Sequence, residues 1–153
     1  MKLAGVIIFS ILTTSILTGC GSEVQEFSGT LVPVKGKVTI NDSPAEGVTV
    51  AFIPDKSTNT TGTGAYGITD SSGAFTLKHR TGEDGVEAGN YKVIFSKYTM
   101  PDGSPIPGDT NPEAAGGGQS IPPKYSSEDK TVSIVTVKPE GNDFTFELKF
   151  KEK

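Results

Sequence analysis

The chain has 153 residues, with 14 lysines and arginines, 18 aspartates and glutamates, and a net charge of −4. This length is close to that of one domain, and the acidic balance argues against nucleic acid as a partner. A single cysteine excludes an internal disulfide, and one histidine with one cysteine is too few ligands for a zinc site. The absence of tryptophan removes one common means of stacking sugars.

Residues 1–19, MKLAGVIIFSILTTSILTG, have the order of a secretory signal. Lys2 supplies a positive charge, residues 3–12 are mostly apolar, and the first acidic residue is Glu23. The apolar run is short for a transmembrane helix, which needs about 20 mostly apolar residues. We therefore expect a signal peptide over residues 1–19, whose removal leaves a mature chain with a net charge of −5, from 13 basic and 18 acidic residues.

Leu17-Thr18-Gly19-Cys20 resembles the bacterial lipobox, in which a cysteine follows a leucine and a small residue. The resemblance implies cleavage between Gly19 and Cys20 and lipid attachment at Cys20. Several acyl chains on one residue anchor a protein stably, since each buried methylene contributes roughly 0.8 kcal/mol. The alternative is an ordinary secreted protein with a free, oxidation-prone thiol at Cys20. We expect a bacterial lipoprotein on the cell membrane or outer membrane, facing the periplasm or the exterior.

Residues 20–30 are mostly small and polar and predict a lipidated tether. From residue 31, apolar and polar residues alternate with period two, which is typical of half-buried strands. Gly36 falls in an apolar row, which indicates a bulge or a close backbone contact. With no helical stripe, the pattern predicts an all-β domain over residues 31–150, a seven-stranded antiparallel β-sandwich. The seven predicted strands are residues 31–40, 47–54, 65–69, 74–78, 90–98, 131–138 and 143–150.

A long loop, residues 99–124, holds six of the ten prolines and a run of three glycines. A structureless loop of this length is uncommon in a compact domain and is usually functional or disordered. Two interpretations stay open, a mobile linker and a binding loop. Tyr98, Met100 and Tyr125 flank the segment, and either form an apolar lip for a partner or pin the loop ends to the sandwich.

Three segments resemble the carboxypeptidase-regulatory-like domain and its transthyretin-like, or prealbumin-like, sandwich. They are GKVTINDSPAEGVTVAFIP (36–54), ITDSSGAFTL (68–77) and EAGNYKVIFSK (87–97). Residues 121–148 extend the likeness, which covers residues 33–150 and is similar to small lipoproteins of planctomycete bacteria. Because the shared residues are turn and core residues, the resemblance implies a fold and says little about function.

One enzyme of this fold hydrolyses hydroxyisourate, and its family uses histidines, an arginine and a Tyr-Arg-Gly-Ser ending. This chain has one histidine and ends Lys-Phe-Lys-Glu-Lys, so we do not expect that activity. His79 stands at a strand end before Arg80, and no nucleophile-elbow pattern occurs. We expect His79 to be an exposed polar residue, and the chain to have no catalytic residue and no cofactor.

Acidic residues occur in two loops, where carboxylates are candidate calcium ligands. They are Glu83, Asp84 and Glu87 in one loop and Asp102 and Asp109 in the other. No EF-hand spacing is present, and we expect solvated acidic loops and no metal site.

The sequence favours a non-catalytic structural, adhesive or protein-interaction role at the cell envelope. The lipid on Cys20 would hold the domain at the membrane and raise its effective concentration toward an envelope protein or a glycan. This hypothesis predicts no concave pocket and a mobile long loop. The alternative, a glycan or small-ligand binding module, predicts that the 99–124 loop orders over an aromatic or polar pocket. A third hypothesis, a hydrolase, needs His79 within hydrogen-bond reach of a hydroxyl and a carboxylate.

Overall fold

The computed structural model describes residues 29–151. The expected signal peptide, Cys20 and most of the expected tether lie outside the described residues. Within the described part, none of the helices is long and apolar enough to cross a membrane.

The regular secondary structure of the described residues is mostly strand, in agreement with the period-two alternation. They contain a 3₁₀ helix at Lys56–Thr58 and one four-residue helix, α1, at Pro123–Ser126. Pro33 interrupts the first predicted strand, and the predicted strand at 74–78 is divided at Leu77 into two short strands, Ala74–Thr76 and Lys78–His79, that belong to different sheets. In chain order, the strands are β1 (Leu31–Val32), β2 (Val34–Ile40), β3 (Ser43–Pro44), β4 (Thr49–Pro54), β5 (Ala65–Ile68), β6 (Ala74–Thr76), β7 (Lys78–His79), β8 (Val86–Glu87), β9 (Gly89–Ser96), β10 (Tyr98–Thr99), β11 (Gly118–Gln119), β12 (Ile134–Val137) and β13 (Asn142–Leu148).

The first large sheet has five strands in the order β12-β9-β4-β5-β7, and every neighbouring pair is antiparallel. Its longest strand, β9, pairs with the edge strand β12 on one side and with the central strand β4 on the other. Tyr91, Val93 and Phe95 of β9 are fully buried, as the alternation predicts. This face of the sheet therefore forms one wall of the core.

The second large sheet is built around β2. Strands β3 and β6 pair with it antiparallel, whereas β13 runs parallel to it from Asn142 beside Val34 to Leu148 beside Ile40. The prediction of a wholly antiparallel sandwich is therefore wrong at β13. The reason is that residues 138–141 lead from β12 in the first sheet to β13 in the second, so that the last two strands do not form a hairpin.

Aromatic rings join the two sheets in a sandwich-like core. The ring of Phe146 on β13 lies 5.1 Å from that of Phe95, 6.4 Å from that of Phe52 and 6.3 Å from that of Phe75, measured between centroids. Each fully buried side chain of this size contributes about 1.5–3 kcal/mol from burial, and aromatic pairs at such distances add to it. Strand β13 thus packs its aromatic side chains in the core between the two sheets, although the strand before it, β12, belongs to the other sheet.

Gly36 lies where the β13 backbone and the ring of Phe75 leave no room for a side chain on β2. A Cβ at this position would lie 2.3 Å from the carbonyl oxygen of Phe144 and 2.8 Å from Cζ of Phe75. The close contact predicted from a glycine in an apolar row is confirmed.

Candidate functional site

The 99–124 segment has hydrogen-bonded structure of its own. Strand β10 at its start pairs with β11 near its end, with Tyr98 opposite Gln119 and Thr99 opposite Gly118. A tight turn follows β10, in which the N–H of Met100 donates to the carbonyl of Ser104 at 2.8 Å. The segment therefore does not have the structureless backbone that the mobile-linker interpretation assumed.

Gln119 fastens the returning end of this segment to the end of β9. Its Oε1 accepts hydrogen bonds from the N–H groups of Lys97 and Ile121, both at 3.0 Å, and its Nε2 donates to Ser96 Oγ at 2.8 Å. The N–H and hydroxyl of Ser120 both donate to the carbonyl of Lys97, at 2.8 and 2.9 Å. Neither Gln119 nor Ser120 was predicted as a site residue, because a single polar residue in a glycine-rich stretch carries no periodic signal.

A concave pocket of about 490 Å³ lies between the 99–124 segment and the second sheet. Ile40 at the end of β2 and Phe150 after β13 line it from the sheet side, and Met100 and Pro101 line it from the segment side. Lys97, Thr99, Gln119 and Ser120 add polar groups. The remaining lining comes from the glycines Gly103, Gly116, Gly117 and Gly118.

Glycines leave much of this lining without side chains. A Cβ added at Gly103 or Gly118 would meet no heavy atom within 4 Å. A Cβ added at Gly117 would meet Cδ1 of Ile106 and would lie 3.1 Å from the carbonyl oxygen of Thr99 and 3.2 Å from that of Pro112, so the segment packs closely around this glycine. Gly103 and Gly118 therefore leave open space where side chains would stand, whereas Gly117 allows close packing within the segment.

The three residues predicted at the loop ends have different positions. Met100 lines the pocket. Tyr98 lies in β10 with 45% of its surface exposed and is not among the lining residues. The ring of Tyr125 packs 6.2 Å from that of Phe150, and its hydroxyl accepts a hydrogen bond from the Lys149 N–H at 3.2 Å. Tyr125 thus holds Phe150, a lining residue, in place.

His79 is buried, with 1% of its surface exposed, so the expectation of an exposed strand end is wrong. Strand β7 lies at the edge of its sheet, with His79 opposite Ala65, and the reason for the burial is that the side chains of Thr63, Thr81 and Glu87 lie around the ring. Its Nε2 lies 2.8 Å from Thr63 Oγ1, and its Nδ1 lies 3.0 Å from Thr81 Oγ1. These hydroxyls satisfy the hydrogen-bonding requirement of a buried imidazole.

Glu87 lies beside the same ring, with its Oε1 at 3.8 Å from His79 Nε2. That distance exceeds a hydrogen bond. In an acyl-transfer triad the hydroxyl and the carboxylate bond to opposite nitrogens of the imidazole, but here Thr63 and Glu87 both face Nε2. Glu87 therefore does not lie at the nitrogen opposite Thr63, where the orienting carboxylate of such a triad would be.

Tyr91 contacts Glu87, which lies beside His79; we call His79, Thr63, Thr81, Glu87 and Tyr91 the His79 cluster. The Tyr91 hydroxyl donates to the carbonyl of Glu87 at 2.8 Å. Burial, with a smaller effect from the negative charge of Glu87, raises the pKa of Tyr91 well above its usual range. The phenol therefore stays neutral and serves as a structural donor.

The acidic residues considered as calcium ligands do not converge. Asp84 pairs with Lys78 at 2.7 Å, Glu83 accepts from the Thr81 hydroxyl at 3.1 Å, and Glu87 turns inward. Asp102 accepts from both the hydroxyl and the N–H of Ser104, which lowers the pKa of that carboxyl. Across residues 29–151, no group of three or more histidine, cysteine, aspartate or glutamate residues is arranged to hold a metal ion.

Comparison of the chain with protein-family models, with curated proteins and with solved structures finds no match. The case for a function therefore rests on the fold and on the geometry of the pocket.

Proposed function

We propose that this chain is a lipid-anchored, extracytoplasmic binding module that holds a small ligand in the pocket beneath the 99–124 segment. The observation that carries the proposal is the pocket itself, which two distant parts of the chain form together. Ile40 and Phe150 supply its wall from the sandwich, and Met100 supplies its wall from the segment. Its volume of about 490 Å³ is in the range typical of small-molecule sites.

This proposal takes the place of a purely structural or adhesive role, for which we expected no concave pocket and a mobile loop. The hydrogen bonds that join Gln119 and Ser120 to the Lys97 backbone support the binding role because they hold one side of the pocket against the end of β9. A preformed site binds with a smaller loss of conformational entropy than one that must order on binding. A glycan and a small amphipathic molecule are both ligands of suitable size.

We infer that the module is non-catalytic. Among the residues that line the pocket, only Lys97 is titratable, whereas general acid–base chemistry needs at least one positioned group that exchanges protons near neutral pH. The buried His79 cluster is a separate feature, and none of its members lines the pocket.

The proposed architecture is a transthyretin-like sandwich of the carboxypeptidase-regulatory-like type, tethered through Cys20. Two large sheets with a shared aromatic core support the fold assignment. The lipobox resemblance at residues 17–20 supports the anchor, which would face the domain outward at the bacterial cell envelope. Mass spectrometry of the N-terminal peptide tests the anchor, since an unmodified Cys20 thiol in protein isolated from cells would overturn it.

Gly118 offers a direct test of the binding function. The probes are 3-phenylpropanamide and N-acetylglucosamine, and saturation-transfer NMR measures their binding to the intact protein in lipid nanodiscs, with empty nanodiscs as the blank. Because a Cβ at Gly118 meets no atom within 4 Å, Gly118→Ala should bind like wild type, and Gly118→Leu should fill the pocket and lose binding. Absence of binding to wild type by these probes and by carboxylate and phosphate analogues of the first, or unchanged binding to Gly118→Leu, would overturn the proposal.

A further inference from the structure

Most polar groups of the pocket are already engaged within the protein. The side-chain amide of Gln119 accepts two backbone hydrogen bonds and donates one to Ser96. The hydroxyl of Ser120 donates to the carbonyl of Lys97. Neither side chain therefore has its main hydrogen-bonding capacity available to a ligand.

Two polar side chains of the lining remain available, those of Lys97 and Thr99. Lys97 is half-buried and is the one charged residue among those that line the pocket. Within residues 29–151, its ammonium has no carboxylate within 4.0 Å, unlike Lys35, Lys78 and Lys149, which pair with Asp143, Asp84 and Asp42. The backbone of Lys97 is fixed by Gln119 and Ser120, so the base of this cation is held at the pocket while its flexible stem can adjust.

The remainder of the lining is largely apolar. Ile40 and Phe150 meet at the sheet side because β13 runs parallel to β2, with Leu148 beside Ile40. Phe150 is held by the Tyr125 ring and by a hydrogen bond from its own N–H to Asn41 Oδ1 at 3.1 Å. The pocket thus joins one unpaired cation to a fixed apolar wall.

We infer that the pocket takes a small anionic amphipathic molecule, with a carboxylate or phosphate group at Lys97 and an apolar body against Ile40 and Phe150. This inference rests on the proposed function and names its ligand class. A charge-assisted hydrogen bond to an ammonium is roughly twice as strong as a neutral one. The whole chain has a net charge of −4, so selectivity for an anion would come from this contact and not from long-range attraction.

Three matched probes test the inference on the intact protein in nanodiscs. They share one phenylalkyl body and differ in head group: 3-phenylpropanoate, 2-phenylethyl phosphate and neutral 3-phenylpropanamide. Titration calorimetry, with empty nanodiscs subtracted, should show at least one anion binding about tenfold more tightly than the amide. The stronger of the two anions then identifies the head group as carboxylate or phosphate.

Substitutions at Lys97 assign that preference to its ammonium. Lys97→Gln should abolish the difference in affinity between the anions and the amide, Lys97→Arg should retain that difference, and the exposed-residue control Lys56→Gln should bind like wild type. Equal binding of anions and amide that is lost in Gly118→Leu would overturn the inference while the proposed function stands. An anion preference that persists in Lys97→Gln would also overturn it. Absence of binding of all three probes would overturn the proposed function and this inference together.

Discussion

Thr69 and Val48 are joined by a buried hydrogen bond, in which the Val48 N–H donates to Thr69 Oγ1 at 2.8 Å. The same hydroxyl donates to the carbonyl of Ala45, and the backbone N–H of Thr69 donates to the carbonyl of Val48 at 2.9 Å. Thr69 has only 3% of its surface exposed. One side chain therefore satisfies two backbone groups in the connection that leads into β4.

Thr69→Val should destabilise the domain by about 2 kcal/mol, because it leaves a buried donor and a buried acceptor without partners. Thr69→Ser retains the hydroxyl and should change the free energy of unfolding by less than about 1 kcal/mol. Urea denaturation followed by circular dichroism measures both. Equal stability of the valine and serine variants would contradict the role given to the hydroxyl.

Gly36→Ala should destabilise the domain by about 3 kcal/mol, since overpacking in a closed core forces backbone and side-chain shifts. The added methyl would clash with the Phe144 carbonyl and the Phe75 ring. Gly118→Ala is the matched control, because its Cβ meets no atom within 4 Å, and it should change stability little. Denaturation midpoints that move equally in the two variants would show that the contact at Gly36 is not limiting.

Local patterns predicted the strands well and their partners poorly. The alternation in residues 90–98 placed Tyr91, Val93 and Phe95 on the buried face, where the structure has them. Strand direction depends on which sheet a strand joins, and no local signal distinguishes a hairpin after residue 139 from a crossing into the other sheet. Only hydrogen-bond partners far apart in the chain decide between the two.

The pocket was only partly predictable for the same reason. The proline- and glycine-rich composition indicated the segment, and Met100 was named among its flanking residues. The opposite wall joins Ile40 to Phe150, 110 positions further along the chain, and this depends on the parallel pairing of β13 with β2. The burial of His79 was missed because a polar residue at the end of a short strand gives no sign of what covers it.

Three turns share one hydrogen-bonding pattern, in which an aspartate accepts from the serine two residues later. Asp70 Oδ1 accepts from the N–H and hydroxyl of Ser72 at 2.8 and 2.7 Å, and also from the Ala74 N–H at 3.0 Å. Asp55 with Ser57 and Asp102 with Ser104 repeat the pattern. These hydrogen bonds lower the pKa of all three carboxyls, led in each case by the serine hydroxyl.

A lowered pKa in the folded state predicts acid sensitivity. The stabilisation is fully present above the ordinary aspartate pKa of about 3.9, and it is lost as pH falls through the lower folded-state pKa. Asp70→Asn keeps an acceptor oxygen but cannot be protonated, so it should flatten the loss of stability below about pH 4. Thermal unfolding at several pH values measures this slope, with Glu46→Gln as the charge-removal control. An unchanged slope in Asp70→Asn would contradict the prediction.

The burial of His79 predicts chemical protection of the one histidine in the sequence. Its side chain lies between the hydroxyls of Thr63 and Thr81 and has no exposed surface. Diethyl pyrocarbonate should therefore modify His79 slowly in the folded protein and fully after denaturation, as measured by absorbance at the carbethoxyimidazole band. Thr63→Ala should speed modification, because it removes a hydrogen-bond partner from Nε2, whereas the control Thr145→Ala, on an exposed face of β13, should not. Rapid modification of the folded wild type would place His79 on the surface and contradict the buried cluster.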